Sequence, residues 1–375
     1  MLYHLLAPLG KSGLLFNLFT YISFRAAAAM VTALGIAFLL GPLIIRKLQA
    51  LKVGQVIRAE GPASHQSKRG TPTIGGVIII AATVIPTMLF APLTNRFVVV
   101  SVVAMLWCGI IGFIDDYLKV VQGQSRGLVA KWKLAGQVTF GLTLGVLLVY
   151  WPVVNPATIP AEATTVPFFK YLIVAFAPWL YVVFVTGVVT GFSNAVNLTD
   201  GLDGLATGLS AIAAGAFAVF AYILGRVDMT AYLNLFYLPG SGELSVFCAA
   251  LMGACLGFLW FNAHPARVFM GDTGALALGG AFGTVAILLK SEFLLVIIGG
   301  VFVVEAVSVM LQTSVFKWYK RTRGREYAEA NRVFRMAPLH HHFEKLGWAE
   351  STVVVRFWIL GIFCALVALA TLKLR

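Results

Sequence analysis

The sequence predicts an all-α membrane protein that crosses the bilayer many times. Hydrophobic residues make up 59% of the 375-residue chain and charged residues only 11%, whereas charged residues make up about 25% of a soluble domain. The apolar runs are about 20 residues long, which is the length that a helix needs to cross the hydrocarbon. They lack the alternation of polar and apolar residues that is typical of a membrane β-barrel.

Ten apolar runs predict ten transmembrane helices in one integral membrane domain that covers residues 1–375. No stretch has the composition of a separate soluble domain, and the longest polar stretch is roughly 317–350. Each span is bounded where an apolar run meets polar or charged residues. The predicted spans are 22–46, 73–92, 97–118, 132–151, 168–190, 202–224, 244–262, 273–290, 293–316 and 352–373.

The basic residues predict the orientation of the chain. Of the 28 Lys and Arg residues, 20 lie in or next to the stretches that follow odd-numbered spans, and 8 lie in or next to the other stretches and the termini. Because basic residues favour the cytoplasmic side, we expect both termini to be extracytoplasmic. Anionic membrane lipids are then sufficient partners for the net charge of +13, which does not indicate nucleic-acid binding.

The polar motifs all lie in the predicted cytoplasmic stretches. The third of these stretches reads NAVNLTDGLDGL and carries Asp200 and Asp203 between two spans. One interpretation is that both carboxylates cap the following helix, whose N-terminus favours negative charge. Acids in similar positions elsewhere in the chain favour a second interpretation, in which five distant loops form one site on the cytoplasmic face.

Asp115 and Asp116 end the third span. A carboxylate near membrane depth is costly unless it is paired, hydrated or bound to a metal. Neighbouring helical side chains point about 100° apart, so one acid is expected to face a metal and the other a substrate or a lysine. The alternative is an interfacial pair balanced by Lys119, one helical turn further on.

Asp272 lies in the sequence MGDTG, just before the eighth span. Gly271 and Gly274 allow the backbone to approach a ligand closely, and carboxylate, water and phosphate oxygens are the ligands that Mg²⁺ prefers. Asp272 is therefore the first candidate metal ligand and Asp116 the second. The alternative is that Asp272 only caps the helix, although a helix N-terminus is also a phosphate site.

His340, His341 and His342 are consecutive in the fifth cytoplasmic stretch. Zinc sites use histidines at helical or looped spacing together with thiolates or carboxylates, and neither that spacing nor a nearby cysteine occurs. The three histidines are therefore interpreted as phosphate or sugar contacts, with an ordinary basic loop as the alternative.

Several further residues are candidates for substrate contacts. Lys68, Lys119 and Lys131 are placed to contact phosphates, although lysines beside spans also determine topology. Phe269 and Asn262 are candidates to stack on and hydrogen-bond a base. The sequence contains no Walker A, GxSxG or Rossmann pattern. The remaining chemistry suits metal-assisted phosphoryl transfer between a soluble pyrophosphate and a lipid.

Five motifs resemble those of the phospho-N-acetylmuramoyl-pentapeptide-transferase family, within the polyprenyl-phosphate N-acetylhexosamine-1-phosphate transferase superfamily. The paired Asp, DGLDG and GDTG are similar to superfamily motifs, and GTPTIGG and HHHFEKLGW to those of the muramoyl-pentapeptide branch. The five motifs are SHQSKRGTPTIGG (64–76), GFIDDYLK (112–119), NAVNLTDGLDGLA (194–206), FNAHPARVFMGDTGALALGG (261–280) and PLHHHFEKLGW (338–348).

The resemblance implies a reaction, a cofactor and a location. The substrates would be UDP-N-acetylmuramoyl-pentapeptide and undecaprenyl phosphate, the products lipid I and UMP, and the cofactor Mg²⁺. The enzyme would lie in the bacterial inner membrane with its active site facing the cytoplasm. Members of the family form homodimers, but no residue in this sequence indicates one.

The resemblance also implies roles for individual residues. Asp272 matches the family's metal ligand, Asp115 the proposed base toward the lipid phosphate, and Asp116 a further residue of the catalytic centre. The residues that match the nucleoside and inhibitor pocket are Lys68, Thr73, Asn197, Asp200, Asp203, Asn262 and Phe269. Those that match other parts of the cleft are Lys119, Lys131, His340, His341 and His342.

Two other functions remain as alternatives at this stage. A sister transferase would use UDP-N-acetylglucosamine, and the HHHFEKLGW motif argues against it. A cation-coupled transporter would also carry intramembrane acids. A transporter should hold those acids near the bilayer midplane, whereas here they lie at the predicted cytoplasmic ends of the spans.

Overall fold

The computed structural model describes residues 1–50, 70–123, 127–154, 158–169 and 172–374. Across these residues the chain is helical apart from one short β-hairpin and the loops. The helices are α1 (Leu2–Leu6), α2 (Leu14–Asn17), α3 (Ile22–Ala50), α4 (Gly76–Phe90), α5 (Arg96–Val120), α6 (Ala130–Tyr150), α7 (Pro178–Thr199), α8 (Leu205–Leu224), α9 (Val227–Leu233), α10 (Leu244–Asn262), α11 (Gly271–Leu288), α12 (Glu292–Ile298), α13 (Gly300–Arg323), α14 (Arg325–Ala330), α15 (Leu339–Lys345) and α16 (Glu350–Leu374). Three 3-10 turns cover Ala7–Ser12, Leu18–Thr20 and Ser241–Glu243, and strands β1 (Ala163–Thr165) and β2 (Ile173–Ala175) pair antiparallel.

The prediction of an all-α polytopic membrane protein is confirmed. Among the described residues, nine helices are long and apolar enough to cross a membrane, and α4 is a shorter apolar helix of 15 residues. At 1.5 Å per residue, α4 is about 22 Å long, less than the roughly 30 Å of a hydrocarbon core. The N-terminal segment packs at the end of α4, where the Met1 amino group donates to the carbonyl oxygens of Met88 and Leu89.

The fifth predicted span begins and ends later than the sequence indicated. Among the described residues of this span, β2 precedes the helix, and α7 begins at Pro178. Proline is favoured in the first turn of a helix because its missing N–H has no partner there. At the other end, α7 extends through Asn194 to Thr199, so the first half of the predicted third loop is helical.

The ninth predicted span is broken at Gly299 into α12 and α13. A Cβ atom at Gly299 would lie 2.3 Å from Cζ of Phe192, so the close approach of α7 at this point requires glycine. Helix α13 then continues to Arg323, well past the predicted end at 316, and its basic last turn is exposed.

Helix α11 is the centre of the fold. Within its membrane-spanning length 89% of the residues are buried, and it packs against α5 and α7. Gly280 lies against Cys108 of α5, and Gly279 lies against Ser193 of α7. Small residues allow helices to approach closely in a membrane. This packing brings the start of α11 beside the end of α5, and we call the end of the bundle that carries Asp115, Gly201 and Asp272 the motif end, and the opposite end the far end.

Candidate active site

Two aspartates and two lysines form a cluster at the motif end, which we call the acid–lysine cluster. The Lys119 ammonium pairs with Asp115 and lies 3.3 Å from Oδ2 of Asp272. The Lys133 ammonium pairs with Asp272 and lies 3.3 Å from Oδ2 of Asp115. Each lysine therefore bridges both carboxylates, which offsets the repulsion between two negative groups.

Three helices position the acid–lysine cluster. Asp115 and Lys119 are one turn apart at the end of α5, so they share a face of that helix. Gly112 lies one turn earlier, where a Cβ atom would be 2.1 Å from the carbonyl oxygen of Asp272; its small size lets α11 begin directly against α5. Lys133 comes from the first turn of α6. Oδ1 of Asp115 also accepts a hydrogen bond of 2.8 Å from the amide of Leu128, in the loop before α6.

Asp116 faces the N-terminus of α11. Its Oδ1 accepts from the amide of Asp272 at 3.2 Å, and its Oδ2 accepts from the amide and the hydroxyl of Thr273 at 2.9 and 2.6 Å. A carboxylate at this position satisfies free N–H groups and complements the helix dipole. The interpretation of Asp272 as the capping residue is therefore wrong: the cap comes from another helix, and the Asp272 side chain is left to face the lysines.

The acid–lysine cluster is buried on one side and open on the other. The side chain of Asp115 is 1% exposed, that of Asp272 15% and that of Lys119 36%. Oxygen atoms of Asp115, Asp116 and Asp272 lie within 4.8 Å of one another. An oxygen-only donor set with open positions for water and phosphate fits a hard divalent cation such as Mg²⁺.

The first and fourth motifs are joined by backbone hydrogen bonds. The amide of Phe269 donates to the carbonyl of Pro72 at 2.8 Å, and the amide of Gly75 donates to the carbonyl of Phe269 at 2.9 Å. Gly271 has a positive φ of 69°, and a Cβ there would lie 2.5 Å from Asp116 Oδ2 and 2.8 Å from Thr73 Oγ1. Thr73 is thus buried beside Asp116, and Phe269 is half-buried. Lys68 lies outside the described residues.

The third and fourth motifs are joined through side chains. Oδ2 of Asp203 accepts from the amide of Ala266 at 3.0 Å and lies 3.2 Å from Nδ1 of His264. Glu350, at the start of α16, accepts from the amide of Asp203 at 2.8 Å. Asp203, His264 and Glu350 form a second group with the geometry to hold a cation.

Neither acid of the third motif, Asp200 or Asp203, occupies the N-cap position of helix α8. The helix begins at Leu205, and its N-cap residue is Gly204, which has a positive φ of 77° and no side chain to cap the helix. The structure therefore places a glycine where the capping interpretation expected one of the two acids. Asn197 and Asp200 lie half-buried in the preceding turn.

Asn262 is buried at the junction of these loops. Its Oδ1 accepts from the amide of Gly204 at 3.2 Å and from the hydroxyl of Thr207 at 2.8 Å, while its Nδ2 donates to the carbonyl of Val268 at 2.9 Å. These bonds hold the third and fourth motifs together.

The three histidines have different partners. His340 is 1% exposed and contacts Glu305 of α13; burial is the main cause that lowers the pKa of its imidazole, and Glu305 partly opposes the shift. His341 lies 2.7 Å from Oε2 of Glu344. Nδ1 of His342 accepts from the amide of Arg335 at 3.1 Å. A Cβ at Gly201 would lie 2.2 Å from Nε2 of His340, so the fifth motif touches the third.

The sequence indicated Lys131 as a candidate phosphate contact, but the structure places Lys133 beside the two aspartates instead. Lys131 is exposed, with its ammonium 5.6 Å from the centre of the Trp132 ring, whereas Lys133 enters the acid–lysine cluster. Two residues apart on a helix point about 200° apart, so only one of them faces α5. Sequence reasoning also missed Glu305 and His264. For Glu305, an isolated acid within an apolar run was a usable signal.

Comparisons with known proteins identify the family of this chain. The model of Glycosyl transferase family 4 matches residues 98–290. Three similar proteins named phospho-N-acetylmuramoyl-pentapeptide-transferase are those of Gemmatimonas aurantiaca (60% identical), Desulfatibacillum aliphaticivorans (52%) and Geobacter sp. strain M21 (50%), and each alignment covers the whole of both chains. The chain therefore belongs to the phospho-N-acetylmuramoyl-pentapeptide-transferase family, and it is a membrane-embedded transferase.

Proposed function

We propose that the protein transfers phospho-N-acetylmuramoyl-pentapeptide from UDP-N-acetylmuramoyl-pentapeptide to undecaprenyl phosphate, giving lipid I and UMP. The names and full-length similarity of the relatives support this reaction. The single observation in the structure that carries the proposal is the acid–lysine cluster at the motif end, where Asp115 and Asp272 from two helices meet Lys119 and Lys133.

The bond changes follow from the two substrates. An oxygen of the lipid phosphate attacks the phosphorus that is linked to the sugar, and the bond between that phosphorus and the oxygen of UMP breaks. UMP leaves with the electron pair. A phosphate monoester carries a charge of about −1.5 to −2 near pH 7, so the lipid phosphate is already a nucleophile. We therefore favour direct attack over an aspartyl-phosphate intermediate.

Asp272 is the residue that would hold Mg²⁺, and the neighbouring oxygens of Asp115 and Asp116 complete an acidic surface around it. An Mg²⁺ ion held there would offset the negative charge of the pyrophosphate and stabilise the leaving UMP. Asp116 orients the first turn of α11 and hence the carboxylate of Asp272. Asp115 is the proposed acceptor of any proton that the lipid phosphate still carries.

Lys119 and Lys133 have two roles in this proposal. Each ammonium balances Asp115 and Asp272 in the structure as described. A cation on Asp272 would compete with them for the same carboxylate oxygens. The two ammonium groups could then contact phosphate oxygens, as lysines do in other phosphoryl-transfer sites.

The remaining motif residues form the proposed nucleotide-sugar pocket. The hydrogen bonds that tie the third and fourth motifs together, and the contact of His340 with Gly201, support one continuous pocket beside the acid–lysine cluster. The half-buried ring of Phe269 is the candidate to stack on the uracil. The other proposed contacts are Lys68, Thr73, Lys131, Asn197, Asp200, Asp203, Asn262, His340, His341 and His342.

The proposed location is the bacterial inner membrane, with the motif end facing the cytoplasm and both termini outside. The basic residues of the loops at the motif end support this orientation. The whole chain would act as a single integral membrane domain.

Purified protein in lipid nanodiscs provides the test. With UDP-N-acetylmuramoyl-pentapeptide, undecaprenyl phosphate and Mg²⁺, we expect release of UMP that depends on the lipid and stops when the metal is chelated. UDP-N-acetylglucosamine in place of the first substrate should give no UMP. Release from UDP-N-acetylglucosamine alone would assign the chain to the sister reaction, and no release from either substrate would contradict a transferase.

A further inference from the structure

Glu305 on α13 holds His340 through two contacts. Its Oε1 accepts from the backbone amide of His340 at 3.1 Å, and its Oε2 lies 3.1 Å from Nδ1 of the ring. Both side chains are buried, at 0 and 1% exposure. A carboxylate can only accept hydrogen bonds, so the proton of a neutral His340 ring lies on Nδ1. The other ring nitrogen, Nε2, then carries a lone pair.

Nε2 of His340 is directed at the third motif. It lies against Gly201, where a Cβ atom would be only 2.2 Å away, and it has no hydrogen-bond partner among the residues that the structure describes. A buried acceptor without a partner costs about 1–3 kcal/mol, and native proteins rarely leave one. A donor group from a ligand would satisfy it.

We propose that Glu305 is a positioning residue of the active site: it holds His340 so that Nε2 accepts a hydrogen bond from a hydroxyl or N–H group of the nucleotide-sugar at Gly201. This inference rests on the proposed function. A phosphate oxygen is itself an acceptor and would meet Nε2 only if the ring were protonated. Because burial lowers the pKa of His340, a sugar or base group fits this position better than a phosphate.

Replacing Glu305 with glutamine should move the ring proton of His340 from Nδ1 to Nε2. The amide offers one accepting oxygen and one donating NH₂ group. The backbone amide of His340 can only donate, so it keeps the oxygen, and the NH₂ group then faces Nδ1. His340 resolves this conflict by moving its proton to Nε2, which turns the acceptor at Gly201 into a donor.

Nitrogen-15 NMR of histidine-labelled protein in lipid measures the tautomer directly. The resonances of His340 are assigned by their loss in His340→Asn. We expect a protonated Nδ1 in the wild type and a protonated Nε2 in Glu305→Gln. A protonated Nε2 in the wild type would overturn the proposal. This measurement requires no turnover, so it stands apart from any failure of the proposed reaction.

A double-mutant cycle tests whether Glu305 acts through His340. The asparagine of His340→Asn keeps a donor near the position of Nδ1 but has no group at Nε2. We expect Glu305→Gln to lower kcat about 10–100-fold, the usual cost of losing a carboxylate that orients a functional histidine. In the His340→Asn background the same change should cost less than about twofold, which is within the error of additivity.

Ser308→Ala is the matched control. Ser308 is buried one turn further along α13, and its hydroxyl donates only to the backbone of Glu305 at 2.7 Å. We expect this variant to keep its kcat. Wild-type kcat in folded Glu305→Gln would overturn the proposal, and so would equal losses from Glu305→Gln in the two backgrounds, which would indicate a structural role independent of His340.

Discussion

Helix α11 connects two clusters that contain the same kinds of side chain but differ in how they are satisfied. At the motif end, Asp272 shares Lys119 and Lys133 with Asp115. At the far end, Lys290 and Glu292 follow the last turn of α11 and share the hydroxyl of Tyr181. Both clusters combine lysine with carboxylate near a membrane, where unpaired charge is costly.

The far-end cluster is closed. The ammonium of Lys290 donates to the carbonyl of Ala161 at 2.5 Å and to the hydroxyl of Tyr181 at 2.9 Å, while Glu292 accepts from the hydroxyl of Thr164. Lys290 and Glu292 are 4 and 2% exposed. The backbone carbonyl of Lys290 also accepts from the amide and hydroxyl of Thr165, which joins β1 to the bundle.

The two clusters differ in how far the protein encloses their charged side chains. In the far-end cluster both Lys290 and Glu292 are enclosed by groups of the chain itself, so the arrangement is suited to stabilising the fold. At the motif end three carboxylates crowd together and one lysine is 36% exposed. Crowded like charges with solvent access are the arrangement expected of a functional site.

The motif end and the far end are expected to lie on opposite sides of the membrane. Labelling of single cysteines tests this, and it should give an all-or-none difference between the two ends. Single cysteines at Lys345 and Tyr232, both exposed, should react from opposite sides when the four native cysteines are replaced by alanine. Labelling of both cysteines from the same side would contradict the proposed orientation.

Asp272→Ala should cause the largest loss of activity. It removes the carboxylate that would hold the metal, so we expect turnover to fall about 10³-fold or more and binding of Mn²⁺ in the presence of UDP-sugar to weaken sharply. Asp228→Asn, an exposed aspartate paired with Arg226 at the far end, is the control and should retain both. Mn²⁺ affinity equal to wild type in Asp272→Ala would place the metal elsewhere.

Asp115→Asn and Asp116→Asn should separate two roles. Both changes remove a charge beside the reacting groups, and we expect each to lower kcat about 10²–10⁴-fold. Only Asp116→Asn should also destabilise the start of α11, by about 1 kcal/mol, because an amide NH₂ cannot accept from the free N–H groups there. Thermal melting measures this difference. Near-wild-type kcat in both variants would reduce the pair to an interfacial anchor.

Lys133→Ala should cost more activity than Lys131→Ala. Lys133 contacts both aspartates of the acid–lysine cluster, whereas Lys131 is exposed beside Trp132. We expect a loss of about 10–10²-fold in kcat for Lys133→Ala and a smaller loss for Lys131→Ala. Steady-state kinetics with both substrates distinguishes them, and the opposite ranking would mean that the cluster rearranges when substrate binds.

Lys290→Met should change stability and leave catalysis almost untouched. It leaves buried oxygens without their donor, so we expect a loss of about 3 kcal/mol and a lower melting temperature. The folded fraction should keep kcat within about twofold. Lys373→Met, an exposed lysine at the same end, should change neither, because exposed charges contribute little. Loss of kcat in folded Lys290→Met would show that the two clusters are coupled.

The fold class and the approximate spans could be predicted because the bilayer permits few solutions. A chain with apolar runs of about 20 residues must satisfy its backbone hydrogen bonds within each run, so helices follow. Composition alone therefore determined the all-α bundle, and the basic residues predicted which loops share a face. The predicted bounds of the fifth and ninth spans were wrong because tertiary packing outweighed the apolar pattern of the sequence, at the β-hairpin before Pro178 and at the break at Gly299.

Only the tertiary structure decided how the candidate site is assembled. The sequence indicated Asp116 and Asp272 as candidate site residues. It did not show that Asp116 caps α11, the helix that carries Asp272. It likewise could not choose Lys133 over Lys131 or pair Glu305 with His340. These contacts join residues 35 to 157 positions apart. Which residues meet in such contacts depends on which helix faces pack together. The helical period of one segment shows its own faces, but it does not show which face of another helix packs against them.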